Sequence, residues 1–240
     1  MANSKTVIVT GASGGIGKAI VRTFLDRGYN IVANSLSLLE DEFTPAANLS
    51  LVKGDIGQRS TAEKIATTAM EKFGSIHHVV NNAGIFTAKP FTSYTAEDFR
   101  QFTSINLEGF IFITQLAVKQ MLAQGEGGSV TTITAALADN PIAGIPASIP
   151  MITKGGLNAI TVSLASEYAR NNIRFNAVAP GVVNTPMHEK QDKAQLRTLS
   201  PMGTISEASD IADAVIYLTE ARYVTGEVLH VDGGAHVGRW

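Results

Sequence analysis

Val7-Ile8-Val9-Thr10-Gly11-Ala12-Ser13-Gly14-Gly15-Ile16-Gly17 drives an apolar run into a glycine-rich turn, and helix-like sequence follows at once. Gly11 permits a tight turn out of a strand, Gly15 lets a backbone approach a pyrophosphate, and Gly17 lets the next helix pack against a sheet. The first-turn amides and the helix dipole then face the anion. Lys5 to Thr10 reads as a short buried strand. Ile16, Ala19, Ile20, Val21, Phe24 and Leu25 recur at helical spacing until Gly28 stops them. Asn30 to Asn34 is a second strand and completes a βαβ unit.

Outward from this unit, strand-like runs at Leu49 to Lys53, His77 to Asn81, Gly128 to Thr134, Ile173 to Val178 and Glu227 to Val231 alternate with helical patterns. The helices are predicted at about 60–73, 95–123, 149–170 and 206–219, with a looser segment near 187–198. Such alternation builds an α/β fold, a Rossmann-like doubly wound parallel sheet with helices on both faces. With 240 residues, 45% hydrophobic and 17% charged, the chain is expected to form one domain over 1–240 with a substantial core. No internal repeat, low-complexity tract or linker interrupts it.

A formal net charge of −2 gives no support for a nucleic-acid partner. The absence of cysteine excludes disulfides and thiolate metal sites, and no metal cage is visible. Met-Ala-Asn-Ser-Lys lacks the apolar core of a signal peptide, and no apolar run reaches membrane-spanning length, so the expected location is cytoplasmic, without a membrane partner. The C-terminal piece after Gly234 is expected to pack as a tail.

Taken together, the motifs resemble those of the short-chain dehydrogenase/reductase family over essentially the whole chain. Thr10 to Gly17 resembles the family's cofactor loop, Asp55-Ile56 the pair that brackets the adenine, and Asn81-Asn82-Ala83-Gly84 the turn after the fourth strand. Ile105-Asn106-Leu107 resembles the active-site asparagine segment, Pro180-Gly181 with Thr185 the nicotinamide loop, and Thr225-Gly226 with Val231 to Gly234 the terminal strand. The resemblance implies cofactor contacts at Gly11, Ser13, Gly15, Ile16, Gly17, Asn34, Ser35, Asp55, Ile56, Asn82, Ala83, Gly84, Lys154, Pro180, Gly181, Val183 and Thr185. Blander roles exist for several of them. Asn81, Asn82 and Gly84 could simply end a strand, Asp55 could cap a helix, and Thr185-Pro186 could be an ordinary turn.

The chemistry departs from the family pattern. Resembling enzymes combine a serine at the end of the fifth strand with a tyrosine four residues before a lysine. Lys154 matches the lysine, but the tyrosine position holds Pro150 and the serine position falls on Ala135. No tyrosine occurs between Tyr94 and Tyr168. Carbonyl reduction puts charge on oxygen, which a positioned acid must relieve, and proline has no donor. Loss of such an acid typically costs about 10²- to 10⁴-fold. A helix start with Ser148 as N-cap and Pro150 in the first turn explains the proline structurally.

By resemblance, Lys154 is expected to reach the nicotinamide ribose and Asn106 to hold it through water. A surface lysine is the alternative. Lys154 itself, Thr134, Ser148 and His188 are the groups that could replace the missing donor, and an exposed lid histidine is the simpler account of His188. His77 and His78 start a strand with side chains on opposite faces and are taken as structural. After the second strand, Ala33-Asn34-Ser35-Leu36-Ser37 lacks the acid that selects NAD. NADP(H) is therefore favoured over NAD(H), although no arginine or lysine is offered there to a phosphate.

Two functions remain open. One is an oxidoreductase acting on a small-molecule alcohol or carbonyl with a nonstandard proton donor. The other is a catalytically impaired or noncatalytic NAD(P)-binding or partner-binding protein. Phe86, Tyr94, Ile142, Ile145, Met151, Met187 and His188 are expected around the substrate. The resemblance also implies a homo-oligomer, tetramer or dimer. Phe110, Phe112, Leu116, Leu157 and Leu164 serve either that interface or the core, and Gly238-Arg239-Trp240 could reach a neighbour.

Overall fold

Every residue of the first strand, β1 (Thr6–Thr10), is buried, because the strand has sheet neighbours on both sides and helices on both faces. The computed structural model describes residues 4–37 and 42–238. Around β1 lie β2 (Asn30–Ser35), β3 (Leu49–Lys53), β4 (His78–Asn81), β5 (Gly128–Ile133), β6 (Ile173–Pro180) and, last in the chain, β9 (Val228–Val231). They form one seven-stranded parallel sheet in the order β3-β2-β1-β4-β5-β6-β9. The result is a single-domain Rossmann-like α/β fold. Its order reverses between β1 and β4, and the crevice outside the strand C-termini at such a point is where open α/β sheets bind ligands.

Alternation along the strands divides the core in two. Val7, Val9, Ile31 and Val178 meet α1 (Gly15–Asp26) and α7 (Ala208–Glu220) through Ile20, Phe24, Ile211 and Val215. Ile8, Val32, Val79, Val130 and Phe175 face α2 (Arg59–Phe73), α4 (Gly109–Gln124) and α5 (Ser148–Tyr168) through Ile65, Ile113 and Leu157. Phe110 and Leu157 are fully within this second core, and Phe112, Leu116 and Leu164 pack against it, so these five side chains serve the core.

Several elements differ from the sequence expectations. The helix predicted over 95–123 is broken. It comprises α3 (Ala96–Phe102), opened by a capping box between Thr95 and Asp98, then a π-helical segment Thr103–Glu108, then α4. Apolar periodicity runs through the break, but the wider turn brings Asn106 into the interior. The start of α5 also differs. Ala147 is the N-cap, Ser148 is the first helical residue and exposed, and Pro150 is the third helical residue. Its missing N–H still sacrifices nothing, because first-turn amides have no intrahelical acceptor. The looser segment contains a 3₁₀ turn, Pro186–His188, and the short α6 (Lys193–Arg197), capped by the Asp192 carboxylate. Before α7, β8 (Ser206–Glu207) pairs with β7 (Val183–Asn184).

His77 precedes β4, and its Nδ1 accepts the Thr6 N–H at 3.0 Å. His78 is buried, contacts Ser129 Oγ at 2.9 Å through Nδ1, and has its pKa pushed down by burial to about 3. The tail after Gly234 folds onto Asp232, whose carboxylate accepts the Gly234 and His236 N–H groups at 3.0 and 2.9 Å. The His236 ring stacks on His230 with centroids 4.1 Å apart. Arg239 and Trp240, expected to reach a neighbour, lie outside the described residues. Among the described residues no helix is long and apolar enough to cross a membrane.

Candidate active site

The turn between β1 and α1 is held by steric limits. Gly11 has φ +68°, and a Cβ on it would lie 2.8 Å from Ala83 Cα. A Cβ on Gly17 would lie 2.1 Å from the Gly11 carbonyl oxygen and 2.5 Å from Asn82 Nδ2, so the helix meets the strand at van der Waals contact only because Gly17 has no side chain. Asn82 locks this junction by donating from Nδ2 to the carbonyls of Thr10 and Gly11 at 2.9 and 3.0 Å. Thr10 Oγ1 accepts the N–H groups of Asn82 and Ala83, both at 3.1 Å. The N-cap of α1 is Gly14, with no side-chain cap, and its first turn carries no acid. Its free amides therefore offer an anion site.

A cavity of about 980 Å³ runs from this turn across the strand C-termini. It is lined by all seventeen residues expected to contact a cofactor, from Gly11 through Thr185. Their side chains serve differently. The Asn34 amide donates to the carbonyls of Val52 and Gly54 at 2.9 and 3.1 Å, clamping β2 to β3. Beside it, Ser13 Oγ meets Ser35 Oγ at 2.7 Å and Ser37 Oγ at 3.4 Å, a three-hydroxyl cluster. Asp55 does not cap α2, whose N-cap is Gln58; its Oδ1 accepts the Gly57 N–H at 2.9 Å and shapes the loop after β3.

At the other end, Lys154 lies on α5, buried, and its Nζ donates to the Ile133 carbonyl at 2.8 Å. It is therefore not a surface lysine, and burial lowers its pKa to about 8. Gly84 passes between it and Asn106: a Cβ there would lie 3.2 Å from Lys154 Nζ and 3.3 Å from Asn106 Oδ1. Asn106 accepts the Ile85 N–H at 2.9 Å, and its Nδ2 donates to the Ile85 carbonyl at 3.2 Å and to Thr153 Oγ1 at 2.9 Å. The π segment thus fixes the loop that follows β4.

Ala135 lines the cavity; Pro150 is buried one turn before Lys154, with its carbonyl accepting the Thr153 hydroxyl at 2.8 Å. Thr134 lines the cavity while its hydroxyl donates to the Val178 carbonyl at 3.3 Å. Ser148 is exposed and is not part of the lining. His188 lines the cavity mouth, with Nδ1 2.7 Å from Gln191 Oε1. Among the described residues no tyrosine, cysteine, arginine or glutamate lines the cavity.

Phe86, Ile142, Ile145 and Met187 form apolar wall, as expected. Tyr94 and Met151 do not line it; Tyr94 instead donates its hydroxyl to the Thr87 carbonyl at 2.6 Å and packs edge-on against Phe102. Sequence reasoning missed Asn140, Gln191, Asp192, Gln195, Leu196 and Leu199. The three-residue spacing of Leu196 and Leu199 was the available signal, in a segment too short for a clear amphipathic pattern. Glycines that admit no Cβ, an uncapped helix start and a cavity crossing the switch point fit a dinucleotide.

The chain matches, over residues 11–236, the family described as enoyl-(acyl carrier protein) reductase. It is 33% identical over 250 residues to an L-rhamnose 1-dehydrogenase (NAD(P)(+)) of Azotobacter vinelandii, covering 97% of each chain. It is 34% identical over 251 residues to a 3alpha-hydroxysteroid dehydrogenase of Mediterraneibacter gnavus, covering 98% of each. Among solved structures, ElxO with NADP bound superposes with a TM-score of 0.90 at 26% identity, covering 98% of this chain and 100% of that one.

Proposed function

The chain belongs to the short-chain dehydrogenase/reductase family of NAD(P)-binding oxidoreductases, and from that premise we propose a reductase or dehydrogenase of small molecules that works without the family's phenol and serine. Bound NADP(H) supplies or accepts the hydride. The observation that carries the proposal is Lys154: buried on the cavity wall, with its Nζ on the Ile133 carbonyl and no tyrosine in the lining among the described residues. Pro150 and Ala135 stand where the phenol and the serine would be.

The residues of this chain then divide the work. The α1 amides and Gly11, Gly15 and Gly17 accept the pyrophosphate; Asp55 and Ile56 flank the adenine; and Asn82 to Gly84, with Pro180 to Thr185, hold the nicotinamide end. The clustered Ser13, Ser35 and Ser37 hydroxyls favour a phosphorylated adenosine ribose and hence NADP(H). Lys154 moves the proton, directly or through water, since burial brings its pKa to about 8 and makes the ammonium a usable acid. Asn106 is a positioning residue, acting through Ile85.

Fluorescence titration with NADH and NADPH, followed by turnover on a carbonyl and alcohol panel with native and Lys154→Ala protein, tests this. Binding of NADPH with turnover lost in Lys154→Ala is expected. The absence of a hydroxyl acid supports a second reading, a noncatalytic dinucleotide-binding protein, which binding without turnover across the panel would establish.

A further inference from the structure

The substrate end of the cavity combines three properties. Its walls are largely apolar, from Phe86, Ile142, Ile145, Met187, Leu196 and Leu199, with Asn140, Gln191 and Gln195 among them. Among the described residues its lining holds one lysine, Lys154, and no arginine to receive a carboxylate or phosphate. The hydroxyl nearest the Ala135 wall, that of Thr134, gives its proton to the Val178 carbonyl. A ketone reduced here becomes an alkoxide whose proton must come from Lys154 instead of a phenol, so the reduction depends on a substitute acid.

We infer that this end of the cavity takes an apolar iminium ion, C=N⁺, in preference to the corresponding ketone. The inference rests on the dinucleotide-dependent reading proposed above. Hydride addition to an iminium carbon forms one C–H bond and moves the C=N π pair onto nitrogen. A neutral amine results, the dinucleotide is oxidised in exchange, and no proton is required. The step that Pro150 and Ala135 cannot assist is absent from this reaction.

The titratable groups lining this end are Lys154, tied to the Ile133 carbonyl, His188, held by Gln191, and Asp192 at the rim, whose Oδ1 accepts the Ala194 N–H. Lys154 is the opposing charge. Burial already favours its neutral amine, and an adjacent cation favours it further. Binding of a fixed cation therefore expels a proton from the lysine, and Asp192 is the carboxylate lining this end of the cavity among the described residues.

Two measurements on the full-length protein loaded with NADP(H) test this. Calorimetry compares N-methylisoquinolinium, permanently charged, with the neutral N-methylisoquinolone of the same ring. Tighter binding of the cation by about tenfold, with proton release in native protein and none in Lys154→Met, is expected. Turnover compares N-methyldihydroisoquinolinium with tetralone, each corrected for reduction by free NADPH. A kcat/KM advantage for the iminium of about 10²-fold is expected. Equal binding of the two rings, or tetralone turnover matching the iminium while NADPH binds, overturns the inference and leaves the proposed function standing. Failure of both dinucleotides to bind overturns both.

Discussion

A methyl group added at Gly17 would lie 2.1 Å from a backbone oxygen, whereas one added at Gly144, also on the cavity wall, would meet nothing within 4 Å. The dinucleotide end is made of backbone in contact with backbone, with Asn82 and Thr10 bridging β1 to β4. The substrate end is made of side chains on segments 135–146 and 185–199, attached to the sheet at their ends. Residues such as Ala135 and Gly144 can change at the second end without disturbing the strands, while the cradle stays intact.

The sharpest way to break this contrast is Gly17→Ala. A Cβ that cannot be placed must push α1 off β1, and overpacking of this kind costs about 1–3 kcal/mol. Dinucleotide binding should be lost in a fluorescence titration and the urea midpoint should fall. Gly144→Ala, by contrast, meets only the strain of its φ of +87°, about 1–2 kcal/mol, and should leave dinucleotide affinity unchanged.

Lys154→Met comes next, with turnover of carbonyl substrates expected to fall about 10²- to 10⁴-fold. It also carries a pH signature. The folded-state pKa of about 8 lies below the ordinary lysine value of 10.5, so between these pH values the unfolded chain holds more protons than the native one. Stability contributed by this site therefore rises with pH from about 8 to 10.5, and below about 8 the native state bears the cost of a buried ammonium. Urea midpoints measured across that interval should rise in native protein and lose this contribution in Lys154→Met.

Asn106→Ala removes the acceptor of the Ile85 N–H, a loss of about 1–3 kcal/mol, and should speed hydrogen exchange at the Ile85 amide. It tests whether the substrate-end loop hangs from the core by that one side chain. The smallest effect is expected from Ser35→Ala, which thins the serine cluster. NADPH affinity should weaken by about 0.5–1.5 kcal/mol, the value of one hydrogen bond, with NADH affinity unchanged in parallel titrations.

The same contrast governs what was legible in the sequence. The strands appear within a few residues of their expected bounds, because a buried parallel strand is a continuous apolar run ended by glycine or asparagine. The π segment did not appear, because Phe102, Ile105 and Phe110 keep an apolar rhythm that an α-helix also satisfies. Asn34 and Asp55 were readable as cavity positions; the Asp55 bond to Gly57 is a local turn, but the Asn34 bonds depend on where Val52 and Gly54 fall, which local sequence does not encode. The walls at Gln191, Gln195 and Leu199 lie in and beside α6, which is too short for a helical period to show although its Asp192 cap is local. Ser148 shows the complementary error, a good capping residue displaced one position by the loop before it.

The π segment has a consequence for how the chain can change in length. It holds one residue more than an α-helix would need, and each residue advances a helix by about 100°. Deleting a residue between 103 and 108 would either keep the wide turn and swing α4 by that angle against α3, or restore regular winding and remove the wide turn. Either Phe110, Ile113, Ala117 and Met121 would leave the core, or Asn106 would leave Ile85. The asparagine at the reacting end and the hydrophobic face of α4 thus share one phase, so this stretch can accept substitutions far more readily than a change in its number of residues.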